Sequence, residues 1–336
     1  MSRIAVAALL LSMLCTGCHS RPVVTGPDLD PLPTIVSIAA GWNHSLLLSA
    51  DGVVYACGRN DCGQLGFETL EDCPCFAPVS GFGRAKVKAI FAGGNHNFAI
   101  TEGDVLYGWG ANESGQLGTG DTEQRTSPSV VSELTSFRKI SCGFAHSAGI
   151  GHDGLYTWGC NSRGQLGYEG PDRLQPTLVS ELDYTVDDVA CGERHTVALL
   201  RSSVVACWGG NFWGQLGLWE NSDIHDGMPV VGFPKGVLPA NVQARIDQCY
   251  ASHENRVYAW PCSINAQFVY NFSQTSFAPV LHMGFAGKAL ASVAAGRGCS
   301  IVVAQDGTIF HWGYSGAMSA PDGTGIENPQ IGRAHV

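Results

Sequence analysis

The sequence repeats itself about every 50 residues, and that interval limits what the chain can become, because a unit of this length cannot bury its own apolar face and must stack on its neighbours. Gly63-Gln64-Leu65-Gly66 recurs as Gly115-Gln116-Leu117-Gly118, Gly164-Gln165-Leu166-Gly167 and Gly214-Gln215-Leu216-Gly217, at steps of 52, 49 and 50 residues. Upstream lies a Gly-x-x-His motif, at Gly41 and His44, Gly93 and His96, Gly143 and His146, and Gly192 and His195. A third position between them holds Cys57, Trp109, Trp158 and Trp208, and continues at Trp260 and Trp312, each 52 residues beyond the last. The motifs then decay. In the fifth period the fixed spacing aligns Asp247 with the histidine and Ala244 with the glycine, and Ala266-Gln267-Phe268-Val269 stands for the tetrapeptide. In the sixth, Cys299 after Gly296 takes the histidine position.

Within a period the pattern is that of strands. Ser45-Leu46-Leu47-Leu48-Ser49 leads through Asp51-Gly52 into Val53-Val54-Tyr55-Ala56-Cys57, and Asp-Gly between two apolar runs is a strong hairpin signal. An apolar run such as 35–40 or 87–92 opens each period, and a segment such as 128–134 offers a fourth strand. Four short strands per 50 residues predict an all-β propeller of six recognisable blades over residues 35–330.

The combination of Gly-x-x-His, Trp-Gly and Asn-x-x-Gly-Gln-Leu-Gly resembles the regulator of chromosome condensation repeat. The resemblance covers nearly all of the chain beyond residue 34 and implies a β-propeller of seven blades. Residues 55–100, with Glu71-Asp72-Cys73-Pro74-Cys75-Phe76, are most similar to the branch of secretion-regulating guanine nucleotide exchange factors. With six periods where seven are implied, the chain is expected to be incomplete. The basic tail of the nucleosome-binding member has no counterpart here.

Equivalent positions of a propeller sit one blade apart, so His44, His96, His146 and His195 cannot converge on one ion. They are expected to be structural, hydrogen-bonded between blades. Gln64, Gln116, Gln165 and Gln215 are expected to satisfy backbone groups at blade corners. The tryptophans at 109, 158, 208, 260 and 312 are expected to fill the spaces between sheets. The same slots argue against a light-sensing role, which would need dense tryptophan clusters on one face. Of the 13 cysteines, Cys142, Cys191, Cys57 and Cys207 occupy blade positions, where cysteine serves as a small apolar residue. Cys57, Cys62, Cys73 and Cys75 match no strong zinc spacing, so no metal or cofactor is expected. No phosphate-binding Gly-rich loop, nucleophile elbow or His-Glu-x-x-His is present, and an enzyme is not expected.

What remains is surface, because loops carry function on a rigid scaffold. The stretch 218–240 departs most from the repeat, and Trp219, His225, Met228 and Phe233 within it, with Phe212 and Trp213 beside it, are candidate partner-binding residues. The loop 68–82 is a second candidate.

The net charge of −10 argues against nucleic acid as a partner. No apolar run reaches the length of a membrane span. The leading reading is a non-enzymatic interaction propeller acting as a monomer, a guanine nucleotide exchange factor or adaptor for a small GTPase, as the resemblance implies. Residues 1–20, with Arg3, an apolar core and Cys18, read as a secretory or lipoprotein signal, followed by a Pro-rich linker at 21–34. They support a second reading, an exported or lipid-anchored propeller binding a protein ligand, whereas the blade cysteines and the resemblance favour cytoplasm or nucleus. A third reading is a scaffold piece of a larger multidomain chain. Residues 331–336 fit no strand pattern, and one coding of them reads as a sequencing-library adapter, so they are expected to be a non-native tail.

Overall fold

Alternating apolar runs broken by tight turns make each period a meander of antiparallel strands. The computed structural model describes residues 33–260 apart from 132–135, 181, 183–184, 202, 219–221, 225–228 and 255. Beyond them it describes residues 262–263, 275–276, 279–284, 290–295, 299–306, 309–313 and 330–332.

The first period forms β1 (Ile35–Ala40), β2 (His44–Ser49), β3 (Val54–Gly58) and β4 (Cys73–Pro78). The second forms β5 (Val87–Ala92), β6 (His96–Thr101), β7 (Leu106–Gly110) and β8 (Arg125–Val130). The third forms β9 (Lys139–Cys142), β10 (His146–Ile150), β11 (Leu155–Gly159) and β12 (Arg173–Leu178). The fourth forms β13 (Val186–Cys191), β14 (His195–Leu200) and β15 (Val204–Gly209). The fifth contains β16 (Asn241–Arg245), β17 (Gln248–His253), β18 (Arg256–Trp260), the short pair β19 (Cys262–Ser263) and β20 (Thr275–Ser276), and β21 (Val280–Gly284). The sixth forms β22 (Leu290–Ala295), β23 (Cys299–Ala304), β24 (Ile309–Gly313) and β25 (Gln330–Gly332). First strands of successive sheets touch one another, β1 with β5, β5 with β9, β9 with β13, β13 with β16 and β16 with β22, so they line the axis of a propeller.

The structure corrects the expectation of six blades to five four-stranded ones, with a three-stranded sheet in the fourth period. There the stretch 218–240 meets the edge of β15 through the isolated bridges Ala206 to Val230 and Gly209 to Ile224. The fourth strand of the second blade runs from Arg125 to Val130 rather than over 128–134. It is an outer strand, polar and partly exposed, and carries no alternating apolar signal.

Packing between sheets supplies the core. Leu46, Leu48, Val54 and Ala56 of the first blade pack with Val87, Ile90, Ala99 and Trp109 of the second. The same arrangement puts Trp158 against Phe98 and Ile100, Trp208 against Ala148 and Ile150, and Trp260 against Val197 and Val205. All four indoles are fully buried. The second glycine of the tetrapeptide makes room for the next blade's indole at Gly66, Gly118 and Gly217: a Cβ at Gly118 would sit 3.0 Å from Trp158 Nε1, on a backbone with φ of +76°.

Strand register also corrects the fifth period. Cys249 lies opposite Trp260, as Thr196 lies opposite Trp208 and Ser147 opposite Trp158. The histidine position is therefore Gln248, not Asp247, and the glycine position is Arg245, not Ala244. The two substitutions go together. A Cβ on Gly192 would meet the His195 ring at 2.0 Å, so glycine is required wherever the imidazole lies over it. With glutamine in place of histidine, a side chain fits. The Arg245 guanidinium donates to the Ala40 carbonyl at 3.1 Å and the Gly41 carbonyl at 2.7 Å, joining the fifth blade to the first.

Because the three atoms nearest a Cβ at Gly192 all belong to the His195 ring, Gly192→Ala and His195→Gln are expected to be strongly non-additive. In chemical denaturation the double mutant should be less destabilised than the sum of the single mutants by about 1 kcal/mol or more. Simple additivity would show that the ring does not dictate the glycine.

Candidate functional site

Two sets of turns share one end of the ring. His44 lies opposite Gly58, and His195 opposite Gly209, so the Gly-x-x-His turn and the Asn-x-x-Gly-Gln-Leu-Gly turn of a blade emerge together. Backbone bonds run around this end from blade to blade: Trp42 N to Gly94 O, Gly94 N to Gly143 O, Phe144 N to Glu193 O, and Glu193 N to Ile246 O.

The histidines fasten successive blades at this end. His44 Nε2 lies 2.7 Å from Asn97 Oδ1, His96 Nε2 2.9 Å from Ser147 Oγ, His146 Nε2 3.1 Å from Thr196 Oγ1, and His195 Nε2 3.1 Å from Cys249 Sγ. Each partner follows the histidine position of the next blade. Each partner also donates back to the main-chain carbonyl of the tetrapeptide glutamine: Asn97 to Gln64 O at 2.8 Å, Ser147 to Gln116 O at 2.9 Å, Thr196 to Gln165 O at 2.7 Å, and Cys249 to Gln215 O at 3.2 Å. With the partner's proton committed there, the histidine must donate from Nε2. Trp109, Trp158 and Trp208 donate to the carbonyls of Gln64, Gln116 and Gln165 at 3.1, 2.9 and 3.0 Å, whereas Trp260 Nε1 makes no such bond. Trp312 stands on β24 opposite Ser300, the same pairing in the sixth period.

The glutamine side chains hold the turns. Gln64, Gln116, Gln165 and Gln215 accept through Oε1 from the backbone N–H groups of Cys62, Ser114, Arg163 and Trp213. Asn60, Asn112, Asn161 and Asn211 accept from the leucine N–H of the tetrapeptide at 2.8, 2.9, 3.0 and 3.0 Å. The asparagine positions were not singled out from sequence, although their fixed place ahead of the tetrapeptide was a usable signal.

Burial holds the four imidazoles neutral, lowering His44 to about 4, His96 to about 3, His146 to about 4 and His195 to about 3 from an ordinary value near 6.5. None faces solvent, and among the described residues no three His, Cys, Asp or Glu side chains gather as a metal site.

The candidate contact residues divide. Phe212 is 66% exposed, and Trp213, packed edge to face against it with centroids 4.9 Å apart, is partly exposed. Phe233 is instead part of the core, with its ring 5.6 Å from Trp260 and 6.0 Å from Tyr258, both edge to face. Trp219, His225 and Met228 lie outside the described residues, as do 1–20 and most of the linker. The second candidate loop, 68–82, contains strand β4, and Phe82 at its end packs edge to face on Tyr107 and Trp109.

Residues 15–330 match the RCC1-like domain. The chain belongs to the RCC1-like domain family. It is 34% identical over 240 residues to the ultraviolet-B receptor UVR8 of Arabidopsis thaliana, a match covering 69% of this chain and 54% of that one. It is 29% identical over 275 residues to the human E3 ubiquitin-protein ligase HERC2, covering 79% of this chain and 6% of HERC2. The chain thus spans about half of the first relative and a small part of the second. Among solved structures, human WBSCR16 superposes with a TM-score of 0.78 at 20% identity, over 90% of this chain and 83% of that one. Yeast RCC1 (Prp20), bound to Kap60, superposes with a TM-score of 0.74 at 22% identity, over 88% and 74%. At these identities the structural likeness establishes the RCC1-like β-propeller fold.

A histidine whose folded value is lowered stays neutral in the fold and charges on unfolding, so its stabilisation is full above pH 6.5 and is lost as pH falls toward 4. At pH 5, unfolding should take up about four protons from these rings. His146→Ala should lower stability by about 1–3 kcal/mol and remove about one of those protons. Denaturation midpoints measured from pH 8 to 4.5 check this, and stability unchanged from pH 6.5 to 5 would contradict it.

Proposed function

We propose that this protein is a non-enzymatic protein-interaction propeller that docks its partner on the face carrying Phe212 and Trp213. In this reading it is a guanine nucleotide exchange factor or adaptor in a small-GTPase pathway. The observation that carries the docking reading is the exposure of Phe212 on a turn otherwise fixed by the repeat network. Equivalent positions of the other blades hold the polar residues Asp61, Glu113 and Ser162, and an exposed aromatic pair on a rigid turn is a typical anchor of a protein interface. The GTPase part rests on family membership and on yeast Prp20, a structure of which is described together with its binding properties to Gsp1p and histones.

The fourth-period sheet is three-stranded. Its outer position is filled by Ile224 and 229–231 instead of a regular strand, with Cys207 N–H donating to Pro229 O at 3.2 Å and Val231 N–H to Val205 O at 2.8 Å. Ile224 and residues 229–231 then cover a blade edge while the adjoining turn presents the rings.

The signal-like residues 1–20 support the exported reading, which shares the docking face and differs in compartment and partner. Sequencing the mature N-terminus in cells separates the two. The docking face is tested by affinity capture from the native compartment with the wild type and a Phe212→Ala/Trp213→Ala double mutant. The double mutant should keep its fold and lose its bound partner about tenfold or more, the effect of removing interface hot spots. Equal recovery with both proteins folded would remove this face.

A further inference from the structure

The docking face carries a chemical preference that the repeat itself reveals. In the first two blades the glutamine amide turns back onto an acid of its own turn: Gln64 Nε2 donates to Asp61 Oδ1 at 3.1 Å, and Gln116 Nε2 to Glu113 Oε2 at 3.4 Å. In the fourth period that acid position holds Phe212. The Gln215 amide instead donates to Asp247 Oδ1 of the next blade, at 3.0 Å. The acid has moved one blade onward, and position 212 is thereby released to carry a ring. Through Gln215, whose Oε1 accepts from Trp213 N–H at 2.9 Å, the aromatic turn and the Asp247 carboxylate form one hydrogen-bonded unit.

A second carboxylate stands beside the first. Glu193 lies in the neighbouring turn, and its backbone N–H donates to Ile246 O at 2.7 Å. The basic side chains near the turn have partners of their own. Arg163 pairs with Asp223 at 2.9 Å, and Arg194 lies 3.5 Å from Glu193. Asp247 receives little compensation: partial burial and the Glu193 carboxylate raise it to about 6, against a weaker opposing effect of Arg194.

We propose that Phe212, Trp213, Glu193 and Asp247 form a docking site for a cationic side chain, an arginine carried on an extended segment of the partner protein. A guanidinium stacks on an exposed aromatic face while its N–H groups bond a carboxylate, which an ammonium or an apolar side chain does less well. A purely apolar segment would cover the Asp247 carboxylate without supplying a cation to pair it. The chain's net charge of −10 favours the approach of a basic segment to it.

This inference rests on the docking face proposed above, and the experiment separates the two. Fluorescein-labelled peptides of one length, with leucine alternating with arginine, with its neutral isostere citrulline, or with glutamate, are titrated against the full chain by anisotropy. The arginine peptide should bind about tenfold tighter than the citrulline peptide. Phe212→Ala, and separately the double mutant Glu193→Gln/Asp247→Asn, should each weaken the arginine peptide by about fivefold or more. Glu102→Gln, in the hairpin at the opposite end of the sheets, should leave it unchanged. If the citrulline peptide binds as tightly, or the double carboxylate mutant has no effect while Phe212→Ala still weakens binding, the arginine site is overturned and the aromatic face stands. If Phe212→Ala weakens no peptide, both fall.

Discussion

One carbonyl organises the propeller. The main-chain oxygen of the tetrapeptide glutamine accepts two bonds from the next blade, one from the residue after the histidine and one from the tryptophan indole, at Gln64, Gln116 and Gln165 alike. A buried carbonyl left unpaired would be costly, so the two donors must be delivered together, and each comes from a different strand of the neighbouring sheet. The histidine then orients the nearer donor from its far side. Gly-Gln-Leu-Gly, Gly-x-x-His and Trp-Gly recur as a set because they meet as a set, each at the junction of two periods.

The fifth period shows how the set changes when one member is lost. Cysteine replaces the hydroxyl or amide partner, Gln248 replaces histidine, Arg245 replaces glycine, and Trp260 makes no bond to Gln215 O. The junction keeps its packing, with Trp260 fully buried, and gives up part of its polar network. The same junction carries the departures that matter for recognition. Gln215 reaches across to Asp247, and Phe212 is exposed where the first two blades place acids. Scaffold and surface are thus linked at one place, where relaxed repeat constraints leave side chains to face a partner.

The period, the meander and the pairing of blades were legible because they rest on glycine, histidine and tryptophan at fixed separations. Asp247 was misplaced because a constant spacing back from Trp260 assumes a constant hairpin. Twelve residues separate His146 from Trp158 and Gln248 from Trp260, against 13 for His96 and Trp109. The hairpins of the third and fifth sheets are one residue shorter, and only strand register reveals it. Outer strands such as Arg125–Val130 were hard to place because one side faces water and the alternation is lost. Phe212 and Phe233 read alike in sequence, as aromatics beside an irregular stretch. The fold separates them by packing Phe233 against Tyr258 and Trp260 in the core and leaving Phe212 at the surface.

The claim on which this account depends is that each histidine donates from Nε2 to the next blade and remains neutral. Long-range nitrogen–proton NMR of the imidazole rings in the folded protein at pH 5 tests it directly. The account predicts that His44, His96, His146 and His195 all appear as neutral Nε2–H tautomers with a bare Nδ1. Imidazolium signals, or Nδ1–H tautomers, from these four rings in the folded state would contradict it.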